Sequence, residues 1–218
     1  MTTSHNHQQD IQLTNLLINK TNIQKRMKKS YIALIVLGVV AIYGVSTYNG
    51  MVRLDEEVST KWSNVESQYQ RRSDLIPNLV ATVKGYATHE QGTLDSVISA
   101  RAEATQTKID ISNATPEQLA NFQKVQGSLS SALSRLMAVS ESYPELKANE
   151  NFKELQSQLE GTENRINVVR KEFNAAAQTY NTEIRQFPGT IVASVFGFKT
   201  RAYFEADEGA EKATEVKF

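Results

Sequence analysis

The sequence contains no cysteine. That absence excludes disulfides, thiolate nucleophiles and lipid attachment through a cysteine, and it leaves stability to packing alone. Histidine is nearly as scarce. His5 and His7 stand together near the N-terminus without further ligands around them and read as a solvated pair, and His89 is the one other histidine. The stretch His89-Glu90-Gln91-Gly92-Thr93 lacks the second histidine of a zinc-protease helix. A di-iron bundle needs two Glu-x-x-His pairs, which one histidine cannot supply. Only four prolines and ten glycines occur in 218 residues, so long helices are expected rather than many turns. Gly85 and Gly92 lie on a helical pattern among bulky residues and form no phosphate-cradling loop. Net charge is zero, with 24 basic against 24 acidic residues, and no basic strip interleaved with aromatics invites nucleic acid. Adjacent carboxylates such as Glu56-Glu57 and Asp207-Glu208 would point apart on a helix. The expectation is a non-enzymatic protein with no catalytic, cofactor or metal site.

Against this background one stretch dominates: the uncharged run from Tyr31 through Leu37 and Tyr43 to Tyr48, preceded by Lys25, Arg26, Lys28 and Lys29. Eighteen helical residues reach about 27 Å, close to the roughly 30 Å hydrocarbon core of a bilayer. The run is therefore read as a transmembrane helix. Gly44-Val45-Ser46 imitates a signal-peptidase site, but the run is longer than the usual apolar region of about 7–15 residues, so an uncleaved anchor is expected. The basic residues before the span outnumber those after it, which places the N-terminus in the cytoplasm and the larger C-terminal part beyond the membrane.

Four segments follow: residues 1–29 as a cytoplasmic polar and basic leader, 30–49 as the span, 50–204 as an extracytoplasmic or periplasmic helical bundle, and 205–218 as an acidic solvated tail. In the leader, Leu13, Leu16, Leu17, Ile23 and Met27 recur at roughly helical spacing, though its polar composition favours disorder. Its basic cluster suits anionic lipid headgroups.

Beyond the span, Leu54, Val58, Trp62, Val65 and Tyr69 form one apolar helical stripe. A turn is expected at Pro77, with a second helix from Pro77 to about Thr107, since proline inside a helix is costly. The stripe nonetheless continues in register through Ile76, Leu79, Val83 and Tyr86, as a kinked helix would require. Thr115-Pro116-Glu117-Gln118 opens a third helix whose inner face is Leu119, Phe122, Val125, Leu129, Leu133, Leu136, Val139 and Tyr143. The fourth runs from Phe152 to Phe187 in steps of three and four, a coiled-coil seam with one polar position at Thr162. The apolar Ile191 to Phe198 segment is too short to span a membrane, and either folds back over the bundle or covers a neighbouring subunit. Long stripes of this kind bury one another most simply in an all-α, antiparallel up-and-down four-helix bundle.

Two polar groups interrupt the apolar pattern. Arg71, Arg72, Asp74 and Asn78 crowd around Pro77, with Arg72 at a position the seam reserves for a core residue. Glu163, Asn164 and Arg165 lie beside Thr162. They are read either as a buried ion-pair network that sets helix register or as a docking surface for a partner.

Several blocks resemble the LemA family: Arg71-Arg72-Ser73-Asp74-Leu75-Ile76-Pro77-Asn78-Leu79-Val80, Val83-Lys84-Gly85-Tyr86-Ala87-Thr88-His89-Glu90, Tyr143-Pro144-Glu145-Leu146-Lys147-Ala148-Asn149, Glu163-Asn164-Arg165-Ile166, and Tyr180-Asn181 through Ile184-Arg185-Gln186-Phe187-Pro188. The resemblance covers about residues 31 to 204 and implies a membrane-anchored, extracytoplasmic helical bundle in bacteria. It brings no catalytic residues, and the leader of about thirty residues is longer than the family usually shows. The functional expectation is a self-assembling membrane scaffold with a possible envelope protein partner. The alternative is an adaptor or sensor acting on a membrane protease or an envelope stress pathway.

Overall fold

The computed structural model describes residues 3–205, and of the side chains before Tyr31 only that of Lys20. Among the described residues every regular element is helical: α1 (Thr3–Tyr86), α2 (Gln91–Gln106), α3 (Pro116–Val139), a short 3-10 turn (Ser140–Ser142), α4 (Pro144–Ala148), α5 (Glu150–Arg185) and α6 (Gly189–Phe196). An extended strap, residues 198–205, follows. The chain forms two compact units, Met1–Gly50 and Met51–Phe218.

In the first unit the apolar run is helical, with a mean hydropathy of 2.0 and none of the residues of its most apolar stretch buried inside the protein. It is long and apolar enough to cross a membrane. Tyr31, Leu37 and Tyr43 are exposed, and Tyr48 is half-buried. The leader, expected to be disordered, is helical from Thr3. It contains neither proline nor glycine, and its leucines already followed a helical period. The acidic segment after Glu205 lies outside the described residues.

In the second unit the 3–4 spacing is used as packing. Val58, Trp62, Val65 and Tyr69 from α1 join Leu119 and Phe122 from α3 and Ile166, Phe173, Tyr180 and Ile184 from α5 in one core cluster. Trp62 is its aromatic centre, with ring centroids 5.5 Å from Phe122, 5.4 Å from Phe173 and 5.9 Å from Phe204. A second cluster gathers Ile76, Leu79 and Val83 from α1, Leu94 and Val97 from α2, Leu129, Leu133 and Leu136 from α3, and Phe152 and Leu159 from α5. Both expected helix starts are capped. The Thr115 side chain accepts from the Gln118 amide at 3.2 Å while Gln118 Oε1 accepts from the Thr115 amide at 2.9 Å. Asn149 caps α5 by accepting from the Phe152 amide at 3.0 Å.

Pro77 is not a turn. It lies inside α1, which continues to Tyr86, and the segment expected as one helix from Pro77 to Thr107 is divided at residues 87–90. A proline at this position deprives the Ser73 carbonyl of its intrahelical donor. Arg101 of α2 supplies a substitute, its Nε donating to the Ser73 carbonyl at 2.8 Å. The reversal falls ten residues later, where Ala87 is fully buried. Contacts from the opposite turn fix it there: Tyr143 Oη donates to Glu90 Oε1 at 3.2 Å, and Asn149 Nδ2 donates to Tyr86 Oη at 2.9 Å. Burial and the Glu90 carboxylate together hold the Tyr143 phenol above its ordinary pKa.

Candidate functional site

On α1 the seam runs Trp62, Val65, Tyr69, Arg72, Ile76, Leu79, so a guanidinium occupies a core position. On α3 the same spacing, Phe122, Gln126, Leu129, Leu133, puts a carboxamide in the seam, and on α5 Thr162 falls between Leu159 and Ile166. All three polar residues are buried, and they separate the two apolar clusters. They form one polar layer across the second unit.

Arg72 is its hub, only 1 % exposed. Its Nη1 donates to Glu163 Oε1 and to Ser130 Oγ, each at 2.7 Å. Nη2 donates to the side-chain oxygen of Gln126 and, at 3.3 Å, to its backbone carbonyl. The guanidinium lies 5.1 Å from the centroid of the Tyr69 ring. Gln126 uses its amide nitrogen to reach the Ala104 carbonyl of α2 at 3.2 Å, so α1, α2, α3 and α5 are joined in one network. Thr162 returns its hydroxyl to the Gln158 carbonyl at 2.7 Å. A buried cation held by an acid and several neutral acceptors adds little net stability over an apolar layer, but it makes any shift of helix register costly.

The residues singled out in the sequence divide accordingly. Arg72 and Glu163, 91 positions apart, meet. Arg71, Asp74, Pro77, Asn78, Asn164 and Arg165 are exposed. Asp74 accepts from Gln70 Nε2 at 2.7 Å, and the Asn78 carbonyl accepts from the Thr82 hydroxyl at 2.8 Å. Arg71 and Asp74, with Glu66, Gln70 and Lys108, line an open cleft of about 920 Å³. Gln126, Ser130 and Arg101 were missed. Gln126 carried a signal, since it stands on the same 3–4 spacing that marked Arg72 and Thr162. Ser130 and Arg101 carried none.

A second construction was also invisible beforehand. Asn174 and Asn181, two turns apart on α5, each grip the backbone of the strap as a peptide group would. Asn181 Nδ2 donates to the Arg201 carbonyl at 2.8 Å while its Oδ1 accepts from the Arg201 amide at 2.7 Å. Asn174 does the same to Phe204, both bonds at 2.9 Å. Phe204 thereby seats among Trp62 and Phe173. Arg201 closes the strap onto α1 by an ion pair with Asp55 and lies 5.4 Å from the centroid of the Tyr180 ring. Burial, and then the Asp55 carboxylate, raise the Tyr180 phenol above its ordinary pKa.

A helical unit with a buried polar layer and a clamped C-terminal strap, on a chain with an apolar stretch of membrane-crossing length, defines an all-helical membrane-type protein organised for packing. The chain belongs to the LemA family, whose family model matches residues 61–218. It is 32 % identical over 189 residues to magnetosome protein MamQ 2 of Paramagnetospirillum magneticum, covering 78 % of this chain and 70 % of that protein. It is 31 % identical over 196 residues to magnetosome protein MamQ of Magnetospirillum gryphiswaldense, covering 79 % and 71 %. To protein LemA of Metamycoplasma hominis it is 22 % identical over 176 residues, covering 80 % and 76 %.

Proposed function

We propose that this protein is a non-enzymatic, single-pass, membrane-anchored scaffold of the bacterial cell envelope that assembles with copies of itself. In this reading residues 31–48 cross the cytoplasmic membrane, the basic residues before them stay at the cytoplasmic face on anionic lipid, and the second unit works outside as an up-and-down four-helix bundle of α1, α2, α3 and α5. The short connections at residues 87–90 and 140–149 support the antiparallel arrangement. The observation that carries the scaffold reading is the Arg72 layer. This buried polar cluster is engaged in tying four helices together. Anchoring confines all copies to one plane, which raises their effective concentration and lets weak flank-to-flank contacts suffice for assembly.

The test is the mass of the gently extracted full-length protein, by light scattering with detergent subtracted. A defined oligomer is expected, and a monomer at membrane-like concentrations overturns self-assembly. The cleft beside Arg71 and Asp74 favours a second reading, an adaptor or sensor for an envelope protein such as a membrane protease. That reading requires a different protein to co-purify and to be lost on Arg71→Glu or Asp74→Lys.

A further inference from the structure

The helix α6 is only partly absorbed by the second unit. Ala193 is buried and Val192 and Phe198 pack against the core, but Ile191 is 55 % exposed, Val195 72 %, Phe196 60 % and the preceding Phe187 81 %. Ile191 and Val195 lie one turn apart on the same strip, so the exposure is a face rather than a scatter. Four large apolar side chains this close together form a patch of the kind that marks a contact surface on a soluble domain.

Where α6 sits identifies what covers it. A β-carbon built on Gly189 would come within 2.9 Å of Met51 Cε and 2.3 Å of the Glu183 carbonyl, so the start of α6 is pressed against the first residue of the second unit. Met51 follows Tyr48, the end of the apolar run, by three residues. Three residues reach at most about 11 Å even when fully extended. The covalent chain therefore keeps Met51, and the start of α6 packed on it, within that reach of the end of the apolar run. Charge agrees. Between Glu183 and Glu205 the chain has no acidic residue, while Arg185, Lys199 and Arg201 are basic. Arg185 and Lys199 are exposed on either side of α6. Apolar side chains rimmed by basic ones, with no acid between, suit the interface of a phospholipid surface that includes anionic headgroups.

We infer that α6 is an interfacial membrane contact. Phe187, Ile191, Val195 and Phe196 enter the headgroup and acyl boundary beside the span, so that the second unit is fastened to the bilayer at two points instead of hanging from one. This rests on the membrane-anchored reading above, and it assigns the α6 face to lipid, leaving the flanks of the helices for contacts between copies.

The absence of cysteine makes the test direct. Val195→Cys, Leu37→Cys and His89→Cys, each made separately in the full-length chain and labelled with an environment-sensitive fluorophore, are reconstituted into vesicles of zwitterionic and anionic phospholipid. The label at 195 is expected to lose most of its emission to nitroxide-bearing lipids and to resist aqueous iodide, with the label at 89 showing the opposite. Iodide access at 195 overturns the inference. So does protection at 195 from both quenchers, relieved on dilution into excess lipid, which would put a second copy of the chain there. The label at 37 keeps the two claims apart: if it fails to meet lipid, the anchor reading fails, whereas lipid at 37 and water at 195 sinks only the α6 contact.

Discussion

Arg72→Met keeps most of the side-chain volume of a buried arginine while removing its cation, and it strands the Gln126 oxygen that the guanidinium satisfied. Leaving such a group unpaired costs about 1–3 kcal/mol. Gln126→Leu alone is worse placed, because it removes an acceptor from a charge that stays buried. Combining the two removes the cation together with its side-chain amide acceptor, so the double variant should be less destabilised than the sum of the singles, with a coupling of about 0.5–3 kcal/mol. Urea unfolding followed by Trp62, the sole tryptophan and a member of the adjacent cluster, measures this, and simple additivity would show that the layer is not one network. Glu163→Ala should cost more than Arg72→Met, because it takes the counter-charge from a guanidinium that stays buried, whereas the Glu163 carboxylate left behind by Arg72→Met is 37 % exposed and keeps its water. Tyr180 provides the pH dependence. Its folded pKa is raised by burial and by Asp55, so its contribution is intact below about pH 10 and is lost as pH rises through the folded value. Tyr180→Phe should therefore blunt alkaline unfolding of the Trp62 signal. The exposed Asp110, lowered by the Asn113 side chain and the Ser112 amide, works in the opposite sense, favouring the fold above the carboxylate range and ceasing to do so as acid protonates it. Arg72 and Thr162 were legible as polar intruders in apolar seams. Glu163 was singled out beside Thr162, but its pairing with Arg72 and the parts played by Gln126 and Ser130 were not, because the 3–4 spacing shows that a side chain is inside without showing what it meets.

At the scale of elements, the instructive case is Pro77. Local chemistry argued for a turn, since a proline removes one helical hydrogen bond and crowds the preceding carbonyl. The helix persists because the orphaned Ser73 carbonyl receives its donor from Arg101, 28 residues away on another helix. No local rule contains that information. Arg101→Ala should cost about 1–3 kcal/mol in the native chain. In a Pro77→Ala background, where the residue-77 amide can bond Ser73 itself, the same substitution should cost clearly less. Equal costs in the two backgrounds would mean that Arg101 acts elsewhere. By contrast α3 and α5 were read almost to their ends. Their apolar periods are local properties, and so is the cap that Thr115 supplies to α3, a boundary that tertiary contacts leave in place.

For the whole molecule, the division into an apolar N-terminal run and a helical remainder was plain from composition, because hydropathy is additive along the chain. The strap was not. Arg201, Ala202 and Phe204 gave no period to read, and they are placed by two asparagines of α5 that looked like ordinary polar surface. A chain ending after Phe198 should keep the cluster around Leu79, Leu129 and Phe152, whose members all precede Glu160, while losing closure around Trp62 and Phe173. Hydrogen exchange would then show protected amides near Leu79 and Leu129 and faster exchange near Val65 and Phe173, and uniform protection would count against the two-cluster description. The strap thus also orders events in time. Synthesis runs from the N-terminus, so one half of the core can be complete while the other still waits for Phe204 to arrive. During that interval Trp62 and its neighbours stand open to whatever attends the growing chain. The final residues of the strap act as a latch, and only a chain that has been made at least as far as Phe204 can shut it.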